Sequence, residues 1–254
     1  PSRSPRPSAL PIACASYRLR LMASSLATRL RDHLPTDRFG HALRCADEVD
    51  STNERAAAWA ADGAPDGAVV CADHQTDGRG RHGRTWTDTK GQNLLFSVVL
   101  RPQMPSGRLG LLPVAASVAV AETVDAFVSP HRAALKWPND VLLGGRKACG
   151  MLLESSLATP QRSTVVVLGV GLNVNQTDFP DALADTATSL RLVLGRPVPR
   201  APLLARLLAA LEHRSDAVQQ GRAATVRRAY EERLVSLHKP TTLHVPSAGR
   251  SLSG

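Results

Sequence analysis

The chain has 254 residues, of which 43% are hydrophobic and 21% charged, enough apolar material for one large or two modest cores. That excludes a disordered tail, a collagen and a disulfide miniprotein. Its 31 Lys+Arg against 22 Asp+Glu give a formal charge of +9. Only Lys90, Lys136, Lys147 and Lys239 are lysines, so the excess is an arginine habit that supports an anionic partner only where it clusters.

Taken in chain order, Pro1–Tyr17 is rich in Pro, Ser and Arg and reads as a disordered leader. Its apolar part is broken by Pro11 and too short for a secretory signal, and Met22-Ala-Ser-Ser reads as a start. Met22–His33 has helical spacing. A second helix opens at Ser51, with Glu54 three residues on as a capping box requires, and ends at Gly63. A strand is expected over Ala68–His74, a Gly/Arg-rich loop over Gly78–Arg84 and a strand over Asn93–Leu100. Leu111–Val128 is the longest apolar stretch. Glu122 and Asp125 would be costly inside a bilayer, so it reads as a buried helix and no membrane partner is expected. Strands at Val141–Leu143 and Lys147–Glu154 flank Gly144-Gly145, and a β-branched strand follows at Thr164–Val170. Helical spacing returns over Ala201–Gln219 and Ala223–Leu237, before one strand at Thr241–Val245 and a Ser/Gly tail. The pattern is α+β, a central mixed or antiparallel sheet flanked by helices.

Cys14, Cys45, Cys71 and Cys149 are far apart without a C-x-x-C pair, which reads as reduced thiols in a cytoplasm. The eight histidines show no zinc-like spacing, and no tightly held transition metal is expected.

Five motifs carry chemistry. In Gln75 to Trp86, three arginines and three glycines could cradle phosphate through bare amides and guanidinium forks, or form a solvated basic hairpin. The G-x-G-x-x-G within it is not a Rossmann fingerprint, because no helix follows. Lys136-Trp137-Pro138-Asn139-Asp140 reads as a turn that places a cation and an indole before a strand. Lys147 stands near Gly150, where a ligand could approach the backbone. Gly169-Val170-Gly171-Leu172-Asn173 offers bare glycines to a flat ring, or a bulge. In Ser51-Thr52-Asn53, a cap role by itself accounts for Ser51 and Thr52.

Together and in this order, these motifs resemble those of biotin protein ligases, over roughly residues 45–235. The resemblance implies a catalytic domain like that of class II aminoacyl-tRNA synthetases over residues 22–237, after a leader at 1–21. Residues 238–254 would be a remnant of a C-terminal domain or a disordered tail, with the usual SH3-like barrel truncated. It implies ATP-dependent activation of biotin to biotinyl-5′-AMP, then transfer to a lysine of a biotin carboxyl carrier domain, in the cytoplasm. ATP would bring Mg2+, with no metal ligands assigned.

By the same resemblance, Lys147, Arg79 and Arg81 would be catalytic, supplying positive charge where a carboxylate meets a triphosphate. Ser51, Thr52, Asn53, Gln75, Gly78, Arg79, Gly80, Arg81, Lys147 and Gly150 would bind biotin, with Gly150 leaving room for the bicyclic ring. Trp86, stacked on adenine, with Lys136, Asn139, Asp140 and Asn173, would bind the nucleotide. Loop 76–89 is expected to be mobile until ligand orders it. His82 stands where relatives often carry arginine, which would weaken or pH-tune phosphate attraction. The stretch before the motifs is too short for the DNA-binding domain of some relatives, so no DNA partner is expected, and a homodimer stays open. The alternatives are a lipoate-protein ligase and, in another class, a basic nucleic-acid-binding module.

Overall fold

The computed structural model describes residues 25–156, 164–240, 242–245 and 250–253; the expected leader and the Met22 start lie outside them. Seven strands form one mixed sheet: β1 (Leu43–Ala46), β2 (Val69–Ala72), β3 (Leu94–Leu100), β4 (Ala134–Lys136), β5 (Asp140–Leu143), β6 (Arg146–Ser156) and β7 (Val165–Leu172). Their order is β1-β2-β3-β7-β6-β5-β4. Around the sheet stand α1 (Ser25–Arg31), α2 (Thr52–Ala61), α3 (Leu111–Val128), α4 (Asp181–Ala184), α5 (Leu190–Leu194), α6 (Arg200–Gln219) and α7 (Ala223–Glu231). Only β1–β2 is parallel, and a parallel pair needs a crossover, which α2 supplies.

Both faces of the sheet are covered, which is why β3 is buried along its whole length and reads as an apolar run broken only by Ser97. On one face, alanines 56, 60, 64 and 68 pack on Val70, Val99 and Val167. On the other lies α3 (Leu111–Val128), with α6 (Arg200–Gln219) against it in the main core. The two carboxylates interrupting α3 are both paired. Glu122 receives the Arg214 guanidinium, and Asp125 takes Arg233 at 2.6 Å and the Ala133 N–H at 2.6 Å. The helix is long and apolar enough to cross a membrane, but its apolar surface is spent on the core.

Several expectations need correction. No strand was expected at β1 or β4, where three or four residues are too few to show a period. The last long helix, α7, covers only Ala223–Glu231. The chain then turns so that the Leu135 N–H of β4 donates to the Arg233 carbonyl at 2.8 Å, and the Val235 N–H donates to the Leu135 carbonyl at 2.9 Å. The tail contains two strands, β8 (Thr242–Val245) and β9 (Arg250–Ser253), paired antiparallel. Cys45 and Cys71 are not free thiols. They face each other in the β1–β2 register, Cα atoms 4.6 Å apart, and form a disulfide across 26 residues of sequence. A linear spacing count cannot detect such a pair, and the argument from unpaired cysteines to a reducing compartment falls with it.

Candidate active site

The face of the sheet that carries α2 also carries the floor of a cavity. Side chains alternate along a strand, so Gly169 and Gly171 of β7 share a face with their cross-strand partners Ser97 of β3 and Leu152 and Gly150 of β6. A β-carbon on Gly169 would overlap the Asn53 side-chain oxygen, so that glycine lets the first turn of α2 settle onto the sheet.

Ser51 occupies the N-cap with extended backbone (φ −147°, ψ 131°), but its side chain makes no capping hydrogen bond. The expected capping box is absent because Glu54 pairs instead with Arg79, at 3.3 Å. The next residues build a buried polar chain. Gln75 Oε1 accepts from the Thr52 N–H at 2.8 Å and lies 3.0 Å from Thr52 Oγ1. Ser97 Oγ lies 2.8 Å from Thr52 Oγ1 and 2.6 Å from Asn53 Oδ1. An amide oxygen can only accept, so the single Ser97 proton goes to Asn53. The Asn53 amide then donates to Glu154 at 2.8 Å. Sequence reasoning missed Ser97 and Glu154; the lone hydroxyl in β3 was the available signal.

The loop between β2 and β3 folds as a hairpin of its own. The Gly80 N–H donates to the Arg84 carbonyl at 2.6 Å, and the Trp86 N–H to the Gly78 carbonyl at 2.8 Å. Asp88, whose side chain is fully enclosed, anchors its base by accepting from His74 Nδ1 at 2.8 Å and from the Gln75 N–H at 3.2 Å. His82 sits at the tip with φ 57°, exposed and outside the main cavity, on a neighbouring hollow it lines with Arg79, Arg81 and Arg84. Arg79 bridges Glu54 and Glu154, whereas Arg81 and Arg84 carry no ion pair among the described residues.

Across the cavity, β6 holds an extra residue at a register shift opposite Val141/Leu142. Lys147 ends up with its amine 2.7 Å from Asp140 and 5.5 Å from the centre of the Trp86 ring. Its backbone is pinned by the segment at 186–188, a wall sequence reasoning missed: the Lys147 N–H donates to Thr186, and Lys147 accepts from the Thr188 N–H. Trp86 lies over Gly150 and Gly171, where β-carbons would come within 2.8 and 2.5 Å of its indole. The indole thus lies against Gly150, at the edge of the cavity that Gly150 lines. Trp86 Nε1 is enclosed with no partner among the described residues, a donor left for a ligand.

Two amides expected on the nucleotide serve the frame. Asn139 Nδ2 donates to the Met151 carbonyl at 2.7 Å, and Asn173 Nδ2 to the Thr188 carbonyl at 3.0 Å. Burial, and then the negative Asp140, pushes the Tyr230 hydroxyl up to about 12, so it stays protonated. Burial likewise pushes the Cys149 thiol up, which keeps it out of nucleophilic chemistry.

These elements enclose a cavity of about 450 Å3. Of the residues singled out from the sequence, Ser51, Thr52, Asn53, Gln75, Arg79, Gly80, Arg81 and Trp86 line it from the α2 and loop side. Lys136, Asn139, Asp140, Lys147, Gly150 and Asn173 line it from the opposite side. Gly78 does not. It is buried at the base of the loop hairpin, where a β-carbon would strike the Trp86 carbonyl. Among the described residues no group of three His, Cys, Asp or Glu side chains could hold a metal.

The family model for "Biotin/lipoate A/B protein ligase family" matches residues 46–173, just over half of the chain. The chain belongs to that family. The chain is 37% identical over 201 residues to the bifunctional ligase/repressor BirA of Bacillus subtilis, covering 78% of this chain and 61% of that protein. It is 45% identical over 172 residues to biotin--[acetyl-CoA-carboxylase] ligase of Mycobacterium tuberculosis, covering 66% of this chain and 61% of that one. The chain thus spans about three fifths of these relatives' length. Among solved structures it resembles biotin protein ligase from Aquifex aeolicus in complex with biotin and ATP, with TM-score 0.74 and 29% identity over 84% of this chain and 86% of that one. The seven-stranded sheet with its flanking helices is therefore the family's catalytic fold.

Proposed function

We propose that the chain activates biotin with ATP to biotinyl-5′-AMP and transfers the biotin to a lysine of a biotin carboxyl carrier domain. The observation that carries this reading is the convergence on one cavity of fourteen of the fifteen positions that the family motifs single out. The Aquifex aeolicus relative of the same fold, in complex with biotin and ATP, supports it. Domain boundaries at 22 and 237 belong to the same proposal.

In the first step a biotin carboxylate oxygen attacks the α-phosphorus of ATP and pyrophosphate leaves. Two anions forced together at about 4 Å repel by roughly 4 kcal/mol near a protein surface, so cations are needed where they meet. Lys147 and Arg81, on opposite walls of the cavity, would supply them, with Arg84 of the loop. Mg2+, a hard cation that takes oxygen ligands, fits the cavity's oxygen donors. It would neutralise phosphate charge, held by the phosphates with Asp140 or Asp185 of the wall. In the second step the carrier lysine's neutral amine attacks the acyl carbon and AMP leaves. The loop over the cavity would keep water from the mixed anhydride.

The deciding measurement is biotin-dependent exchange of pyrophosphate into ATP, followed by transfer of labelled biotin to a carrier domain. Both should be seen, and absence of exchange would overturn the reading. Lipoate should not displace biotin in competition. A steeply salt-dependent affinity for duplex DNA with no exchange would instead favour the nucleic-acid reading. A further expected result concerns the loop: biotin with ATP should slow tryptic cleavage after Arg81 and Arg84 severalfold, by binding the closed form. Unchanged cleavage would remove the loop's assigned role.

A further inference from the structure

Arg79 is placed in the cavity wall, yet its charge is already matched. Nη2 lies 3.0 Å from Glu154 and Nη1 3.3 Å from Glu54, so two carboxylates share one guanidinium. Glu154 stands on β6, and the same oxygen that receives Arg79 also accepts from Asn53 at 2.8 Å. Asn53 is fixed in turn by Ser97. The guanidinium is thereby tied to a rigid strand and to the first turn of α2, while its own backbone belongs to the loop hairpin. Arg79 Nε is enclosed without a partner among the described residues, so one N–H remains for a ligand.

We infer that Glu154 is a positioning residue. It grips Arg79 so that loop 76–89 stays closed over the biotin end of the cavity, and Arg79 fastens the loop instead of neutralising phosphate. This deepens the proposed ligase reading and rests on it for the substrate, while the fastening itself is independent of it. It revises the assignment of Arg79 as a phosphate cation and leaves that part to Arg81 and Lys147.

The test is Glu154→Gln, which removes the charge and keeps the shape, with Glu54→Gln as the weaker, more exposed arm. Without added ligand, tryptic cleavage after Arg81 and Arg84, read by mass spectrometry, should run roughly three- to tenfold faster in Glu154→Gln. Glu54→Gln should move it the same way by less. In exchange assays the KM for biotin should rise more than kcat falls, and the KM for ATP should stay put. If Arg79 serves the phosphates, freeing it has the opposite sign: Glu154→Gln would lower the KM for ATP, and that result overturns the inference. Unchanged cleavage in both variants overturns it too. Should Glu154→Gln lose its cooperative melt, cleavage of Glu54→Gln decides alone. Absence of exchange in the parent protein would sink the ligase reading, whereas the ligand-free cleavage comparison would still decide the latch.

Discussion

Lys147→Ala is expected to lower biotin-dependent ATP–pyrophosphate exchange by about 10^3-fold, the scale seen when one fixed donor to a developing anion is removed. The melting temperature should shift by no more than about 3 °C. The two outcomes separate because the Lys147 backbone, not its side chain, holds the wall at 186–188, and alanine keeps both backbone hydrogen bonds. The Lys147 side chain is a third exposed and that of its partner Asp140 is not fully buried, so losing the pair should cost little stability. Arginine should not rescue the activity. The Lys147 side chain already lies within 3.0 Å of where a Gly150 β-carbon would sit, beside the Trp86 indole, and a planar guanidinium needs more room. Retention of a tenth or more of the exchange rate by Lys147→Ala would remove Lys147 from the chemistry. Arg81→Ala should cost about 10^2-fold by the same logic, since Arg84 stands nearby.

Gly169→Ala is expected to be the most damaging single methyl in the site. Gly169 lies between Ser97 and Leu152 in the middle of the sheet, and the new methyl would occupy the place of the Asn53 amide. Either Asn53 swings out, breaking its bonds to Ser97 and Glu154, or α2 lifts from the sheet. Overpacking of a buried site with loss of a buried polar network costs about 2–3 kcal/mol, seen as a fall of roughly 5–10 °C in melting temperature. Biotin affinity should fall at least tenfold with it. Gly144→Ala is the control: it stands at φ 56° in open space, so it should lose only about 1 kcal/mol of backbone preference and leave affinity alone. Equal melting of Gly169→Ala and the parent would show that the helix is not seated as described.

The longest apolar periods were anticipated well, whereas the capping box at Ser51 and the end of the last long helix were not. Leu111–Val128 was expected as a buried helix at the bounds observed, and β3, β6 and β7 were placed within a few residues. The ordered motifs named the cavity walls because each is local: a loop, a turn, a strand start. What escaped was non-local. Ser97 and Gly169 matter because they are cross-strand neighbours, and no linear pattern shows register. Glu154 reads as the polar end of an amphipathic strand until Asn53 and Arg79, 101 and 75 residues away, are brought to it. The Cys45–Cys71 pairing is a third case, created by two short strands of which only β2 was expected.

The segment after α7 has an effect beyond its own two hydrogen bonds. It lies along the outside of β4, so Leu135 has neither its donor nor its acceptor left to offer another chain. A sheet border with open amides is a template for fibril growth and for unwanted pairing between molecules. Here that border is sealed by the protein's own backbone, and truncation before residue 233 would unseal it, exposing the Trp137 end of the fold to self-association as soon as the chain leaves the ribosome.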